Sequence, residues 1–375
     1  MKLASLEMLR NKRRYISIMV TLALINILLL FLVSQLTGLL DGQSGALENQ
    51  KSNIFVYQKG VEESLFRSNL ALSDTAVIEN VDGVSSVGPM GILFGAASRG
   101  STELFDLGVF GYDPTKAGSP SEVTQGRLPK PGESGTGAID ESAKSDGVEM
   151  GDKIVYAGAE TPVEVVGFTK NTEFQLQPTL WVDIDTWRQL RDETQPELAS
   201  NSQNVNAFAV ETETNANPEN VASSIDEASS GIEALTTSEA VAAIPGYSEQ
   251  RQTFVTIIAV TYIAAALVIT LFFVLITLEK TYQLGVLKAL GANTRQLIGS
   301  TAFQGLMLSI AAYILAGAFV AVAGFFIGSL LPFSITPVPW LAVFVLTAIV
   351  GSAGALASAR RIGQIDPATA VSGGE

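Results

Sequence analysis

Tyr247, Glu249 and Arg251 stand within five residues of one another, just before a long uncharged run, and Met19 lies inside another such run. A phenol, a carboxylate and a thioether are groups that can reach a haem iron when no imidazole or thiolate is at hand. A guanidinium can pair with a propionate. The chain contains neither His nor Cys, so these are the ligand types left to it. Two readings of the constellation stay open. One is a laterally open site, at the membrane boundary, for an amphipathic anion such as haem. The other is a tyrosine of the aromatic belt flanked by solvated charges. Spacing alone does not choose between them.

What is missing narrows the chemistry. Without Cys there is no disulfide, thiol nucleophile or Cys metal site, and without His the commonest general base and metal ligand is gone. No Gly-x-x-x-x-Gly-Lys-Ser/Thr stretch occurs, so the chain does not hold ATP by a P-loop. An enzyme is therefore not expected, nor a metal or cofactor of the chain's own. The formal net charge of −14 also argues against a nucleic-acid partner.

The elements that must position these residues are membrane spans. The hydrophobic content of 47% is concentrated at the two ends of the 375-residue chain. Segments 15–40, 253–278, 296–331 and 338–359 are almost uncharged, and each exceeds the roughly 20 residues needed to cross a bilayer. Their interiors lack ionisable side chains, which argues against a proton relay. Asn26, Gln35 and Gln304 are the polar candidates there, better suited to joining helices than to lining a substrate path. Ala312 with Ala316, and Gly324 with Gly328, give close-approach spacing that favours packing within the chain over a dimer contact.

Charge sets the expected orientation. Residues 41–250 carry 33 Asp+Glu against 12 Lys+Arg, whereas the N-terminus, the 279–300 loop and the tail are basic. The positive-inside rule then puts both termini and that loop in the cytoplasm of a multi-pass protein of the cell membrane, with the acidic block outside. Residues 1–14 fit an amphipathic elbow helix on the cytoplasmic face, and 360–375 a cytoplasmic tail. The 41–250 block reads as an α+β domain with a smaller inserted subdomain at about 126–200. Pro218 to Leu235 is expected as an amphipathic helix returning to the membrane.

Segment 279–295 is a charged break between apolar runs. Leu284, Leu287 and Leu290 recur every three residues among Lys280, Lys288 and Arg295, the pattern of a short amphipathic helix. Gly291-Ala292-Asn293 supplies a stop and a new cap.

One span, a large domain, then three spans with a cytoplasmic helix between the second and third resemble the permeases of the MacB/FtsX-like ABC transporter superfamily, over nearly the whole chain. Gln283-Leu-Gly-Val-Leu-Lys-Ala-Leu-Gly-Ala292 is similar to that family's Glu-Ile-Gly-Ile-Leu-Lys-Ala-Ile-Gly-Ala, with Gln283 in place of the acid. Asp140-Glu141-Ser142-Ala143, Gly151-Asp152, Val165-Val166-Gly167 and Asp366-Pro367-Ala368-Thr369-Ala370 also fit its pattern. The start Met1-Lys2-Leu3-Ala4, Tyr247-x-Glu249-Gln250 and the ending Gly373-Gly374-Glu375 resemble permeases of bacterial haem-regulated efflux transporters.

The resemblance implies a polytopic α-helical protein with four transmembrane helices and a MacB-like α+β extracytoplasmic domain between the first two. It further implies a homodimer bound to two ABC ATPase subunits that carry ATP and Mg. Glu279, Gln283, Leu284, Gly285, Leu287, Lys288, Leu290 and Gly291 would couple to the ATPase. Haem or a similar membrane amphiphile would be the exported substrate, with Tyr247, Glu249, Arg251 and Met19 as its contacts. The alternatives are a mechanotransmitter that works an external cell-wall hydrolase or sensor, or an exporter of lipoprotein, glycolipid or peptide.

Overall fold

The computed structural model describes residues 12–100, 103–197, 203–279, 285–286, 290–328 and 331–364. The chain divides into two compact units, Leu39–Gln250 and a helical unit made of 1–38 with 251–375.

In the first unit, strands β1 (Ile54–Gln58), β2 (Val84–Ser98), β3 (Leu104–Tyr112), β4 (Val123–Gly126), β5 (Thr136–Asp140), β6 (Lys153–Tyr156), β7 (Pro162–Thr169), β8 (Thr179–Asp183), β9 (Ala207–Thr212) and β10 (Ile232–Thr236) form one sheet. Its order is β10-β1-β9-β2-β3-β8-β5-β7-β4, and β6 pairs with both β2 and β7. Those last pairings close β2-β3-β8-β5-β7-β6 into a ring, which leaves no free edge among its strands. Leu107, Val109, Ile139, Ile154, Val163, Val165, Leu180 and Val182 are buried in one core cluster. Strands β4 to β8, which span most of the expected 126–200 subdomain, thus share one sheet with β2 and β3. Strands β5 to β8 need β2 and β3 to complete the ring.

Pro218–Leu235 is not one helix returning to the membrane, because only its first part is helical. Helix α4 (Pro218–Ala228) is capped by Asn217, whose side chain accepts from Glu219 N, and the chain then enters β10. Ile232, Ala234 and Thr236 are buried in alternation with Glu233 and Leu235, the period of a strand. The other helices of this part are α2 (Thr75–Glu79), α3 (Ile184–Thr194) and α5 (Thr237–Ala242). Asp183 caps α3 by accepting from Asp185 N at 3.0 Å. Trp187 on α3 lies over the paired residues Gly91 and Gly111 of β2 and β3, where any Cβ would collide with its indole.

Among the described residues, four helices are long and apolar enough to cross a membrane: within α1 (Lys12–Glu48), α6 (Tyr247–Glu279), α7 (Thr294–Ile327) and α8 (Pro337–Gln364). Inside the helical unit, Thr347 Oγ1 donates to Asn26 Oδ1 at 2.8 Å and Trp340 Nε1 donates to Ser34 Oγ at 2.9 Å. Tyr15 OH donates to Gln304 Oε1 at 3.1 Å. These bonds tie α1 to α7 and α8, so Asn26 and Gln304 join helices. Ala312 and Ala316 are fully buried in clusters that include α1 side chains, and a Cβ on Gly324 would meet the Phe333 ring. Phe325 and Phe326 remain exposed.

The last turns of α1 are gripped by the loop after β7. Ala46 N donates to Glu173 O at 2.8 Å, while Gln43 O and Gly42 O accept from Gln175 N at 3.2 Å and Leu176 N at 2.7 Å. Asn171, Gln175 and Leu176 adopt left-handed φ of 52°, 51° and 64°, which turns the loop around the helix. Burial raises the Glu173 carboxyl above the usual carboxylate range, and the charges of Asp140 and Asp41 add to the shift.

Candidate functional site

Tyr247 opens α6, with its N–H donating to Ile244 O at 3.1 Å. Its half-buried ring packs against the cluster that contains Ile244, Val241 and Ala240. Glu249 and Arg251 are exposed in the first two turns of the same helix. Helical spacing puts positions 247 and 251 on one face and turns 249 away from it. Beside them, Gln250 bonds the Gln43 side chain. Tyr247 and Arg251 can thus serve one ligand on a common face, while Glu249 serves a ligand only from the flank.

Met19 does not join them. It packs against a cluster of Tyr15, Ile18, Leu22, Ala23, Ile269, Leu308 and Ala312. Ile269 lies 18 residues along α6 from Arg251, about 27 Å at 1.5 Å per residue. Its sulfur suits an iron, but α1 carries it at a different depth. Position in the run places it at the opposite end of the span.

In the 279–295 segment, Glu279 ends α6, and Gln283, Leu284, Leu287 and Lys288 lie outside the described residues. Gly285 and Val286 are helical, and Leu290 N donates to Val286 O at 3.0 Å. Leu290 is 79% exposed. Gly291 then takes φ +93°, with open space around it, and Asn293 caps α7 by accepting from Arg295 N at 3.1 Å. The stop and the new cap stand where residue type placed them. The N-terminal elbow up to residue 11 and the tail from 365 also lie outside the described residues. Among the described residues no group of three or more acids is arranged to hold a metal ion.

The helices and their charge-poor interiors define a multi-pass protein of the cell membrane, with a large mixed α/β unit between its first and second long apolar helices. Residues 255–367 match the family described as FtsX-like permease C-terminal. Over 375 residues, and all of both chains, the protein is 28% identical to a putative hemin transport system permease protein HrtB of Staphylococcus epidermidis. A protein of the same description from Staphylococcus haemolyticus is 22% identical over 379 residues, again covering all of both chains. An uncharacterized ABC transporter permease of Mycobacterium tuberculosis is 24% identical over 371 residues, 97% of each chain. Among solved structures, the periplasmic region of MacB from Actinobacillus actinomycetemcomitans matches with a TM-score of 0.38 and 14% identity, covering 51% of this chain and 92% of that one. The chain thus carries an FtsX-like permease region and is similar over its whole length to ABC transporter permeases, the non-catalytic membrane components of transporters that work with a separate ATPase.

Proposed function

We propose that this permease belongs to an ATP-driven exporter that withdraws haem, or a comparable flat amphiphile, from the membrane and expels it. The observation that carries the reading is the similarity, across the aligned length of both chains, to proteins named as hemin transport permeases. The residues at the start of α6 suit that cargo. Tyr247 offers a phenolate ligand and Arg251, on the same helical face, a propionate partner; Glu249 flanks them. Met19 is left out of the site.

The basic loop and termini favour the cytoplasm, which puts the acidic Leu39–Gln250 unit outside. Two copies of the chain pair with two ATPase subunits. Segment 279–295 then receives the ATPase, and nucleotide-driven closure shifts the spans because the nucleotide favours one of their arrangements. The tail and the elbow lie on the same side of the membrane as that segment.

A haem titration of the purified chain in detergent, followed in the Soret band, tests the reading. Saturable binding by the wild type that the Tyr247→Ala/Glu249→Ala variant loses, together with loss of haem tolerance in cells carrying the variant, is expected. An unaltered titration in the variant overturns the site. No haem binding, and no haem phenotype with an active ATPase partner, overturns the haem cargo and favours transmission of force to an external protein.

A further inference from the structure

The Leu39–Gln250 unit holds a second feature that the membrane-boundary residues do not use. A cavity of about 370 Å³ opens between α3, β2 and the loop before residue 70, within the size range of small-molecule sites. Its back wall is Trp187, 2% exposed and lying flat because Gly91 and Gly111 leave room for the indole. Its front wall is Phe66, 47% exposed, in edge contact with Phe94 at a centroid distance of 5.2 Å. Both rings line one space.

The front wall is fixed to the sheet. Asn206 accepts from Ile92 N at 2.8 Å and donates to Leu65 O at 3.2 Å and Ser68 O at 3.4 Å, while Leu70 and Val205 exchange backbone bonds of 2.9 Å. A wall held this way loses little freedom when a ligand arrives.

Charge distinguishes the cavity from its surroundings. The acidic block from 41 to 250 holds 33 carboxylates and 12 cations, yet among the described residues the lining includes Arg67 and Arg191 and no Asp or Glu. Arg191 is 5% exposed, stacks over Trp187 at 4.9 Å, and is held by Asn204 O at 2.8 Å and by Asp192 Oδ1 at 2.7 and 2.9 Å. Arg67, at the rim, pairs with Glu62 at 2.6 Å, but both side chains are largely solvated, at 65% and 81%. An exposed pair of this kind contributes little and gives way to a competing anion at small cost.

We propose that this cavity binds a small flat aromatic carboxylate, with the ring against the exposed Phe66 and the carboxylate on Arg67. The site is separate from the start of α6 and does not depend on haem being the exported cargo.

Photolabelling of the full chain in lipid nanodiscs with 4-benzoylbenzoate, followed by peptide mapping, tests the proposal. Saturable adducts are expected on peptides containing residues 65–70 and 187–195. 1-Naphthoate should compete about tenfold better than uncharged 1-naphthylmethanol, the effect of one hydrogen bond to a charged group. Flexible decanoate should compete less well than naphthoate. Arg67→Glu, at an exposed position, should reduce labelling while leaving the unfolding midpoint unchanged, and Phe66→Ala should reduce labelling of a chain that still unfolds cooperatively. Adducts confined to membrane-spanning peptides, equal competition by acid and alcohol, or full labelling of a folded Arg67→Glu chain would overturn it. The Soret titration reads a different part of the molecule, so either result can fail without the other.

Discussion

The backbone N–H of Ala46 donates to the carbonyl of Glu173 at 2.8 Å, joining the last turns of α1 to the loop that follows β7. The approach is close because Gly45 faces that loop: a Cβ there would stand 2.5 Å from Asn171 O and 3.2 Å from Glu173 O. Both obstacles are backbone atoms in a loop already turned through left-handed conformations. Gly45→Val should therefore destabilise the chain by about 1–3 kcal/mol, the usual cost of overpacking a fitted contact. Gly231→Ala, where the nearest atom is 3.9 Å away, should be close to neutral. Thermal unfolding of the two variants, side by side, checks the difference.

The same loop carries a pH dependence of defined sign. Burial, with Asp140 and Asp41 nearby, raises the folded-state affinity of Glu173 for its proton. Between the ordinary carboxylate range and that raised value the folded chain binds more protons than the unfolded one, so stability falls as pH rises through this window. Glu173→Gln should remove that fall and unfold at a higher temperature than wild type at neutral pH, with the gap narrowing toward pH 4. A gap that widens on acidification would contradict the assignment.

Within the membrane, Thr347 Oγ1 donates to Asn26 Oδ1 at 2.8 Å, and the two residues are 4% and 1% exposed. Interhelical bonds of this kind contribute about 0.6 kcal/mol on average and at most about 1.7. Thr347→Val should lose stability in that range, and the loss should vanish when Asn26 is already Leu. A double-mutant cycle on the detergent-solubilised chain measures the coupling.

Leu290, at 79% exposed, supports little of this chain's own packing. If the 279–295 segment receives the ATPase, Leu290→Asp should leave the amount of chain in the membrane unchanged and reduce co-purification of the ATPase about tenfold, as expected for losing an apolar anchor. Equal co-purification would remove Leu290 from the contact.

The four spans were legible because length and lack of charge identify a membrane helix without knowledge of its neighbours. Gly291 and Asn293 were legible for a similar local reason, since a left-handed stop and a side-chain cap are properties of single residues. The closed ring was not. It depends on β6 pairing with β2 from more than fifty residues away, and short strands give no signal of which partner they will meet. Met19 failed for another reason: its thioether suited the chemistry, but a helix assigns depth by position, and depth separates it from Arg251. The 370 Å³ cavity drew on Phe66, Trp187 and Arg191, three unremarkable residues until the fold brings them together.

The glycine pair beneath Trp187 also gives the molecule an optical property. Of its three tryptophans, Trp181 and Trp187 lie in the Leu39–Gln250 unit and Trp340 lies in a span, and only Trp187 borders the cavity. A chain in which Trp181 and Trp340 are replaced by Phe would therefore emit from a single indole pressed against bare backbone. Its fluorescence would dim when a chromophore settles beside it, making occupancy of the cavity visible without any attached dye.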